Sequence, residues 1–422
     1  MGIVDLSTAQ LDRACGVLLA AAAGDALGAG HESPGEWTDD TFTAIVLAET
    51  AIAGADLAVS RERTAGNGSL MRAAPVALAF LDDPDGLAEA ALSALTHDDP
   101  EAGDACVLWC HAVRHAVLTG RLDARAGLDR LAEPGRTRWA ERLKKAEQAR
   151  TQDFTRTGRV VEALQAAWCA ITTTEVPEDE PSAGSFRADH LRLALEEATR
   201  GGRDVAAIAG GLLGAAYGAS AVPARWRLEL HGRPGLRSRD LVALAATVAT
   251  GGTYARPVYG GGHRPAVTEP HPDDPGLLLA DLAGLRAMPP GVTAVVSLCT
   301  VGEQDEEAVL ARTPHWLEVR LADTDDPAEN ENLDFVLHDT VTAIERLRAA
   351  GHVVLVHCVA AYSRTPTIGA LYAMRRTGAD PGEAIAAMER ALPEADPTDA
   401  FRDALQRARP DGGWGIGARG LR

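Results

Sequence analysis

The sequence predicts two domains of different class, an all-α domain followed by an α/β domain with a mainly parallel sheet. Three observations carry this expectation. From Thr8 to about Thr250, alanine- and leucine-rich runs repeat at helical spacing. Between Gly251 and Pro272 (GGTYARPVYGGGHRPAVTEPHP), glycine and proline reach a density that no helix or central strand tolerates. Beyond that stretch, short apolar runs alternate with helical ones, the pattern of strand–helix–strand units. The implied boundaries are a helical domain over 1–250, a linker over 251–272, an α/β domain over 273–411 and a tail over 412–422.

Composition frames both domains. At 422 residues the chain is long enough for two hydrophobic cores. A hydrophobic fraction of 46% with 24% charged residues is that of an ordinary globular protein. The net charge of −19 and the lack of any dense basic run argue against nucleic acid as a partner, because counterion release needs a basic surface. An anionic substrate must instead be gripped locally, by loop amides, arginines or metal. No run reaches transmembrane length, so no membrane association is expected. Val17–Ala23 is too short, and Asp12 and Arg13 precede it where a signal peptide would not carry an acid. Six cysteines at irregular spacing, with Cys106 and Cys110 on one helical face, form no disulfide or zinc pattern. The expectation is a reducing, cytoplasmic location.

The helical domain carries an ordered series of polar motifs set in helical sequence. They are Gly24-Asp25-Ala26-Leu27-Gly28, then Glu32, Thr38-Asp39-Asp40-Thr41, Gly66–Arg72 (GNGSLMR), Thr96-His97-Asp98-Asp99-Pro100 and Val205–Tyr217 (VAAIAGGLLGAAY). Polar interruptions fall at Glu175–Ser185 and around Pro223–Gly235. A threonine hydroxyl beside two carboxylates suits Mg²⁺ or Mn²⁺ rather than zinc, whereas the same TDDT also reads as a helix N-cap with an acidic first turn. In this order the motifs resemble the ADP-ribosylglycohydrolases over roughly residues 10–250. That resemblance implies an all-helical fold and a divalent metal site that cleaves ADP-ribose from an acceptor. Thr38, Asp39, Asp40 and Asp204 would be metal ligands, Glu32 the acid near the scissile bond, and Asn67, Gly68 and Ser69 the ribose and phosphate lining. One departure stands out. The family closes its metal site with Asp-x-Asp-Thr before the apolar helix, whereas this chain reads Gly201-Gly202-Arg203-Asp204-Val205 and keeps Asp204 alone. Asp204 also reads as the N-cap of that helix.

In the second domain, Ala294–Leu298, Trp316–Leu321 and Val353–Val356 read as strands. Leu333–Ala350, Pro366–Arg376, Pro381–Arg390 and Pro397–Arg407 read as helices. His263, His271, His315 and His338 lack metal-ligand spacing and read as surface or loop residues. The stretch VVLVHCVAAYSRTPTIGAL (Val353–Leu371) puts Cys358 between a buried strand and a helix start, with Arg364 six residues on. There, Thr365 reads as an N-cap and Pro366 as the first helical residue. Loop amides of Val359, Ala360, Ala361, Tyr362, Ser363 and Arg364 and the positive helix end converge on one point, where they hold an anion and favour the Cys358 thiolate. Arg364 can grip two phosphoryl oxygens as a fork.

This HCVAAYSRT loop resembles that of the protein tyrosine phosphatases, and the dual-specificity branch in particular, over Thr293–Arg409. The resemblance implies Cys358 as nucleophile and Thr365 as the hydroxyl that helps the thiolate leave. It implies Asp323, in the loop after Trp316–Leu321, as the general acid, with Asp325 and Asp326 as rivals. Family members carry glycine where this chain has Ala361, so the backbone there must avoid positive φ or accept strain. Two functions from different classes follow. One is a bifunctional hydrolase that removes ADP-ribose from a protein or small molecule with weakly held Mg²⁺ or Mn²⁺, and that hydrolyses a phosphorylated substrate without cofactor. The other is a phosphatase whose helical domain is a degenerate ADP-ribose-binding module.

Overall fold

The computed structural model describes residues 5–30, 34–55, 68–95, 99–154, 159–259 and 265–409. The chain divides into two compact units. One comprises Met1–Pro177 with Ala188–Ala255, the other Glu178–Arg187 with Arg256–Arg422.

The first unit is helical, as expected. Its axis is Thr8–Ala29, started by a capping box in which Ser7 Oγ accepts from the Gln10 amide at 3.2 Å and Gln10 Oε1 accepts from the Ser7 amide at 3.1 Å. The helix Arg203–Tyr217 crosses it with backbones in contact. A Cβ on Gly24 would lie 2.1 Å from the Ala206 carbonyl oxygen, one on Gly28 2.2 Å from that of Arg203, and one on Gly16 2.3 Å from that of Gly214. Only glycine permits that approach, so the two glycines of GDALG set where the start of the second helix lies. Trp109, Trp139, Leu19, Ile45, Leu47, Leu164 and Leu212 are buried in the surrounding core. Burying a large apolar side chain of this kind stabilises the fold by roughly 1.5–3 kcal/mol. The interruption at Pro223–Gly235 is structured after all. It holds the helix Ala224–Glu229 and the short hairpin His231–Gly232 with Leu236–Arg237.

The second unit is built on a five-stranded sheet in the order Thr268–His271, Asp274–Ala280, Val354–His357, Ala294–Ser297, Trp316–Glu318. All neighbours are parallel except the first pair. That first pair lies partly within the stretch read as a linker. Pro270 is tolerated because its strand is an edge, where one side needs no amide donor. Leu355, Val295, Ala280 and Trp316 pack with Leu282, Leu285 and Met288. The alternate residue Leu279 meets the helix Arg364–Thr377 at Gly369 on the other side. Asp274 ties the sheet to two helices. Its carboxylate accepts from Arg348 Nη2 and Nε at 2.7 and 2.9 Å and from the Tyr372 hydroxyl at 2.7 Å. These bonds hold its carboxyl well below the usual carboxylate range, Arg348 contributing most.

The helices predicted in this unit are all present, as Leu333–Ala349, Arg364–Thr377, Pro381–Ala391 and Asp399–Arg407. Two histidines correct the surface reading. His271 and His338 are buried, the first with its ring against Tyr372 and Nε2 3.0 Å from the Gly369 carbonyl oxygen. Burial pushes the His338 pKa down to about 4. His263 lies outside the described residues. Residues 178–185 of the first polar interruption belong to this unit together with Phe186 and Arg187, and Phe186 packs edge-to-face on Phe335 with centroids 5.8 Å apart.

Candidate active sites

In the second unit, the strand Val354–His357 delivers Cys358 to the sheet end, buried at 1% exposure. The loop after it is tied down through its own oxygens. The carbonyl of Val359 accepts from the Leu282 amide at 3.2 Å and that of Tyr362 from the Asp396 amide at 2.7 Å. Ser363 Oγ accepts from the Thr398 amide at 3.3 Å. Ala361 takes φ +56°, so the backbone accepts the strain that glycine would avoid, at roughly 1–2 kcal/mol. The helix begins at Arg364 after Ser363, two residues earlier than expected. Pro366 therefore sits inside the first turn, which tolerates it because its missing amide would find no intrahelical carbonyl there. Thr365 is not the N-cap. Its buried hydroxyl donates to the Ala280 carbonyl at 3.3 Å.

Behind the cysteine lies a polar relay absent from the sequence reading. Trp316 Nε1 donates to Ser297 Oγ at 2.9 Å, which leaves the serine proton for His357 Nε2 at 2.6 Å. The imidazole then donates from Nδ1 to the Cys358 carbonyl at 3.3 Å. Burial pushes the His357 pKa down to about 4, so the ring is neutral at physiological pH.

Arg364 is held by two carbonyls, its Nη1 donating to Leu321 at 3.0 Å and Leu298 at 3.2 Å. Its Nε is buried without a hydrogen-bond partner and lies 3.5 Å from Asp323 Oδ2. The rival acids are engaged elsewhere. Asp325 accepts from the Ala400 amide at 3.0 Å at the start of the helix Asp399–Arg407, and Asp326 from the Ala328 amide at 2.9 Å. One cysteine, one arginine with a spare buried donor and one facing carboxylate thus meet at a sheet end.

The first unit gathers the acidic motifs differently from the expectation. Asp25, buried at 1% exposure, accepts from the Thr38 amide and hydroxyl at 2.9 Å each and from the Thr41 hydroxyl at 2.6 Å. The threonines of TDDT therefore anchor the helix Asp39–Ile52 to GDALG. Thr38 is its N-cap, with Oγ1 accepting from the Asp40 amide at 3.3 Å. Asp39 projects outward, its side chain 89% exposed and 3.8 Å from Arg233 Nη1. Asp40 points inward, and burial followed by the charges of Asp25 and Asp204 raises its pKa, against Arg203 and Arg72. Asp204 lies within the first turn of its helix, since Gly202 is the N-cap, and is 3.3 Å from Arg203 Nε. Gly68 passes beside Asp40 and Arg72, and Ser69 is buried. Glu32 and Asn67 lie outside the described residues.

The four expected ligands do not close on one point. Thr38 Oγ1 is committed to Asp25, Asp39 faces outward, and an arginine lies beside Asp204. Among the described residues, no three Asp, Glu, His or Cys side chains are grouped to hold a metal ion. Asp25, Arg72, Arg203 and Arg233 were not singled out from sequence as site residues. The paired glycines around Asp25 were the one available signal.

The fold defines two units of different class, helical at the N-terminal side and α/β at the C-terminal side. The family models agree. Residues 6–64 and 56–255 match ADP-ribosylglycohydrolase, and residues 291–409 match dual specificity phosphatase, catalytic domain. The chain belongs to the ADP-ribosylglycohydrolase family, with a dual-specificity phosphatase domain fused behind it. Both families are hydrolases, and the first is generally dependent on divalent metal. Among solved structures, an ADP-ribosylglycohydrolase-related protein complex is 25% identical, over 58% of this chain and 100% of that one, with a TM-score of 0.44. Human DUSP28 is 26% identical over 36% of this chain and 96% of its own, with a TM-score of 0.28. DUSP15 is 26% identical over 31% and 81%, with a TM-score of 0.25. No curated protein matches the chain. No described helix is long and apolar enough to cross a membrane.

Proposed function

We propose that the second unit hydrolyses phosphate monoesters through a phosphocysteine on Cys358. The observation that carries this reading is the buried, unsatisfied Nε of Arg364 beside the Cys358 loop, with Asp323 as the one acid of its loop facing it. A buried guanidinium N–H that makes no hydrogen bond, even with a carboxylate 3.5 Å away, costs free energy until an anion completes it. The thiolate sulfur attacks phosphorus while the bond to the leaving oxygen breaks, and Asp323 gives that oxygen its proton. Water then attacks the phosphocysteine, its proton returns to Asp323, and the S–P bond electrons return to Cys358. Thr365 assists that departure by turning its hydroxyl from the Ala280 carbonyl towards the sulfur. In the test, Cys358→Ser abolishes hydrolysis of an aryl phosphate with the thermal unfolding curve unchanged. Turnover near wild type in that variant refutes the mechanism.

For the first unit, the arrangement around Asp40 favours the binding-module reading. Thr38 Oγ1 is taken up by Asp25, Asp39 faces outward and Arg203 Nε lies 3.3 Å from Asp204 Oδ1, so these side chains do not turn their oxygens to one ion. The unit recognises the ADP-ribosyl group of a protein or small molecule and brings a phosphorylated substrate to the phosphatase. Calorimetric titration of the full chain with ADP-ribose in the presence of a chelator tests it. Binding without release of ADP-ribose from a modified acceptor supports the module, and metal-stimulated release refutes it.

A further inference from the structure

We propose that Asn330 is a positioning residue for the general acid: it pins the loop that carries Asp323 to the start of the helix Leu333–Ala349, so that the carboxylate is held at Arg364 before substrate arrives. This role rests on the reading of Asp323 as the proton donor, and its test separates the two.

The loop needs a fastening because the sheet releases it early. Pairing with Ala294–Ser297 ends at Glu318, beyond which the Val319 amide donates to the Ser297 carbonyl at 2.7 Å. Asp323 lies four residues further on, its side chain 35% exposed, and an ion pair of that exposure at 3.5 Å holds a side chain weakly. Asn330 closes the loop across eight residues. Its Oδ1 accepts from the Ala322 amide and its Nδ2 donates to the Ala322 carbonyl, both at 2.9 Å. One side chain thus occupies both backbone polar groups of the residue directly before Asp323. The pair of bonds also fixes which way the side-chain amide points, because an N–H only donates and a C=O only accepts. Aspartate has the same shape, but when ionised it has no donor for the carbonyl.

The backbone of Asn330 is itself anchored. Its carbonyl accepts from the Leu333 amide at 3.0 Å, and its amide donates to the Pro327 carbonyl at 3.3 Å. Leu333 opens a helix whose Phe335, Val336 and Leu337 are buried, so the clamp reaches from a packed element to a loop. Two further ties act on the same loop. Arg364 Nη1 donates to the Leu321 carbonyl at 3.0 Å, and the Ala400 amide donates to Asp325 Oδ1 at 3.0 Å. Backbone on one side of Asp323 and a side chain on the other are thereby held. A carboxylate on a fixed loop has less freedom to lose in reaching the leaving oxygen, and a displacement of about 1 Å can cost roughly 10²-fold in rate.

The test is steady-state hydrolysis, by the full chain, of a series of aryl phosphates that differ in leaving-group pKa. In the wild type the rate is expected to vary little along the series, and in Asp323→Asn to fall steeply towards the poor leaving groups. Asn330→Ala is expected to lie between them, about ten-fold slower than wild type on the poorest leaving group and within about two-fold on the best. Added to Asp323→Asn it should slow no substrate further, because Asn330 acts through that carboxylate. Asn330→Asp, which keeps the shape and loses the donor, should show the same pattern with the thermal unfolding curve of the wild type. Equal slowing of every substrate by Asn330→Ala, or a loss that adds in full to that of Asp323→Asn, marks a general structural role and overturns the proposal. Asn330 variants with the wild-type dependence beside a steep Asp323→Asn overturn it while the acid reading stands. An Asp323→Asn variant with the wild-type dependence refutes the acid reading, and the proposal with it.

Discussion

Asp323→Asn should slow the reaction and tighten the anion site at the same time. The carboxylate faces Arg364 Nε at 3.5 Å and its side chain is 35% exposed, so the residue proposed as the acid also competes, when ionised, for the guanidinium. Coulomb attraction at that separation is about 1 kcal/mol in a water-like dielectric and several times that at an effective constant near 20. Partial exposure and screening favour the lower figure, about 1 kcal/mol. Removing the charge should therefore tighten inorganic phosphate as an inhibitor by about five-fold. The same change removes the proton donor. Hydrolysis of an alkyl phosphate should fall by roughly 10²–10⁴-fold, and that of an activated aryl phosphate by far less, because a good leaving group needs no proton. Steady-state kinetics on the two substrates with phosphate inhibition measures both effects. Equal slowing of the two substrates refutes the acid role, and weaker phosphate inhibition refutes the competition. A larger effect from Asp325→Asn would move the acid, against that residue's tie to the Ala400 amide.

Further expectations concern the loop and its frame. Arg364→Lys should lose most activity, since a point charge cannot hold two oxygens or bridge the Leu298 and Leu321 carbonyls; equal turnover shows the loop is no phosphate clamp. Ala361→Gly should raise stability by about 1 kcal/mol through relief of the φ +56° strain, read as the midpoint of denaturant unfolding, and an unchanged or lower midpoint removes the strain argument. Asp274→Ala should destabilise the second unit by roughly 3–5 kcal/mol, because it strands Arg348 and the Tyr372 hydroxyl. The sign with pH follows from the depressed Asp274 carboxyl. Its contribution is complete above the ordinary carboxylate range and declines as pH falls below it towards the folded-state value, so wild type and variant should converge in acid. A pH-independent gap between their unfolding free energies contradicts that linkage.

The strand–loop–helix junction around Cys358 was legible because it is one continuous piece of chain. A strand, a six-residue loop and a helix start carry Cys358 and Arg364 in their own backbone geometry, and no distant partner is needed to place them. The alternation of strands and helices after Gly291 was legible for the same reason, as was the helical character of Thr8–Thr250. Tertiary structure decided what depends on separate segments. Asp323 and Asp325 are alike in sequence, and only the packing of Asp399–Arg407 against the loop turns one into a helix tie and leaves the other facing Arg364. The first strand pair was hidden because Pro270 and Gly276 are turn residues by local rule. The inner neighbour of Asp274–Ala280, Val354–His357, is far along the chain, and that pairing makes Asp274–Ala280 an interior strand with Thr268–His271 at the edge. At the acidic site, residue type promised a metal. Tertiary structure decided which of those groups meet, with Asp25 taking Thr38 and Thr41 and Asp39 facing outward, because contact depends on space and sequence records only which groups exist.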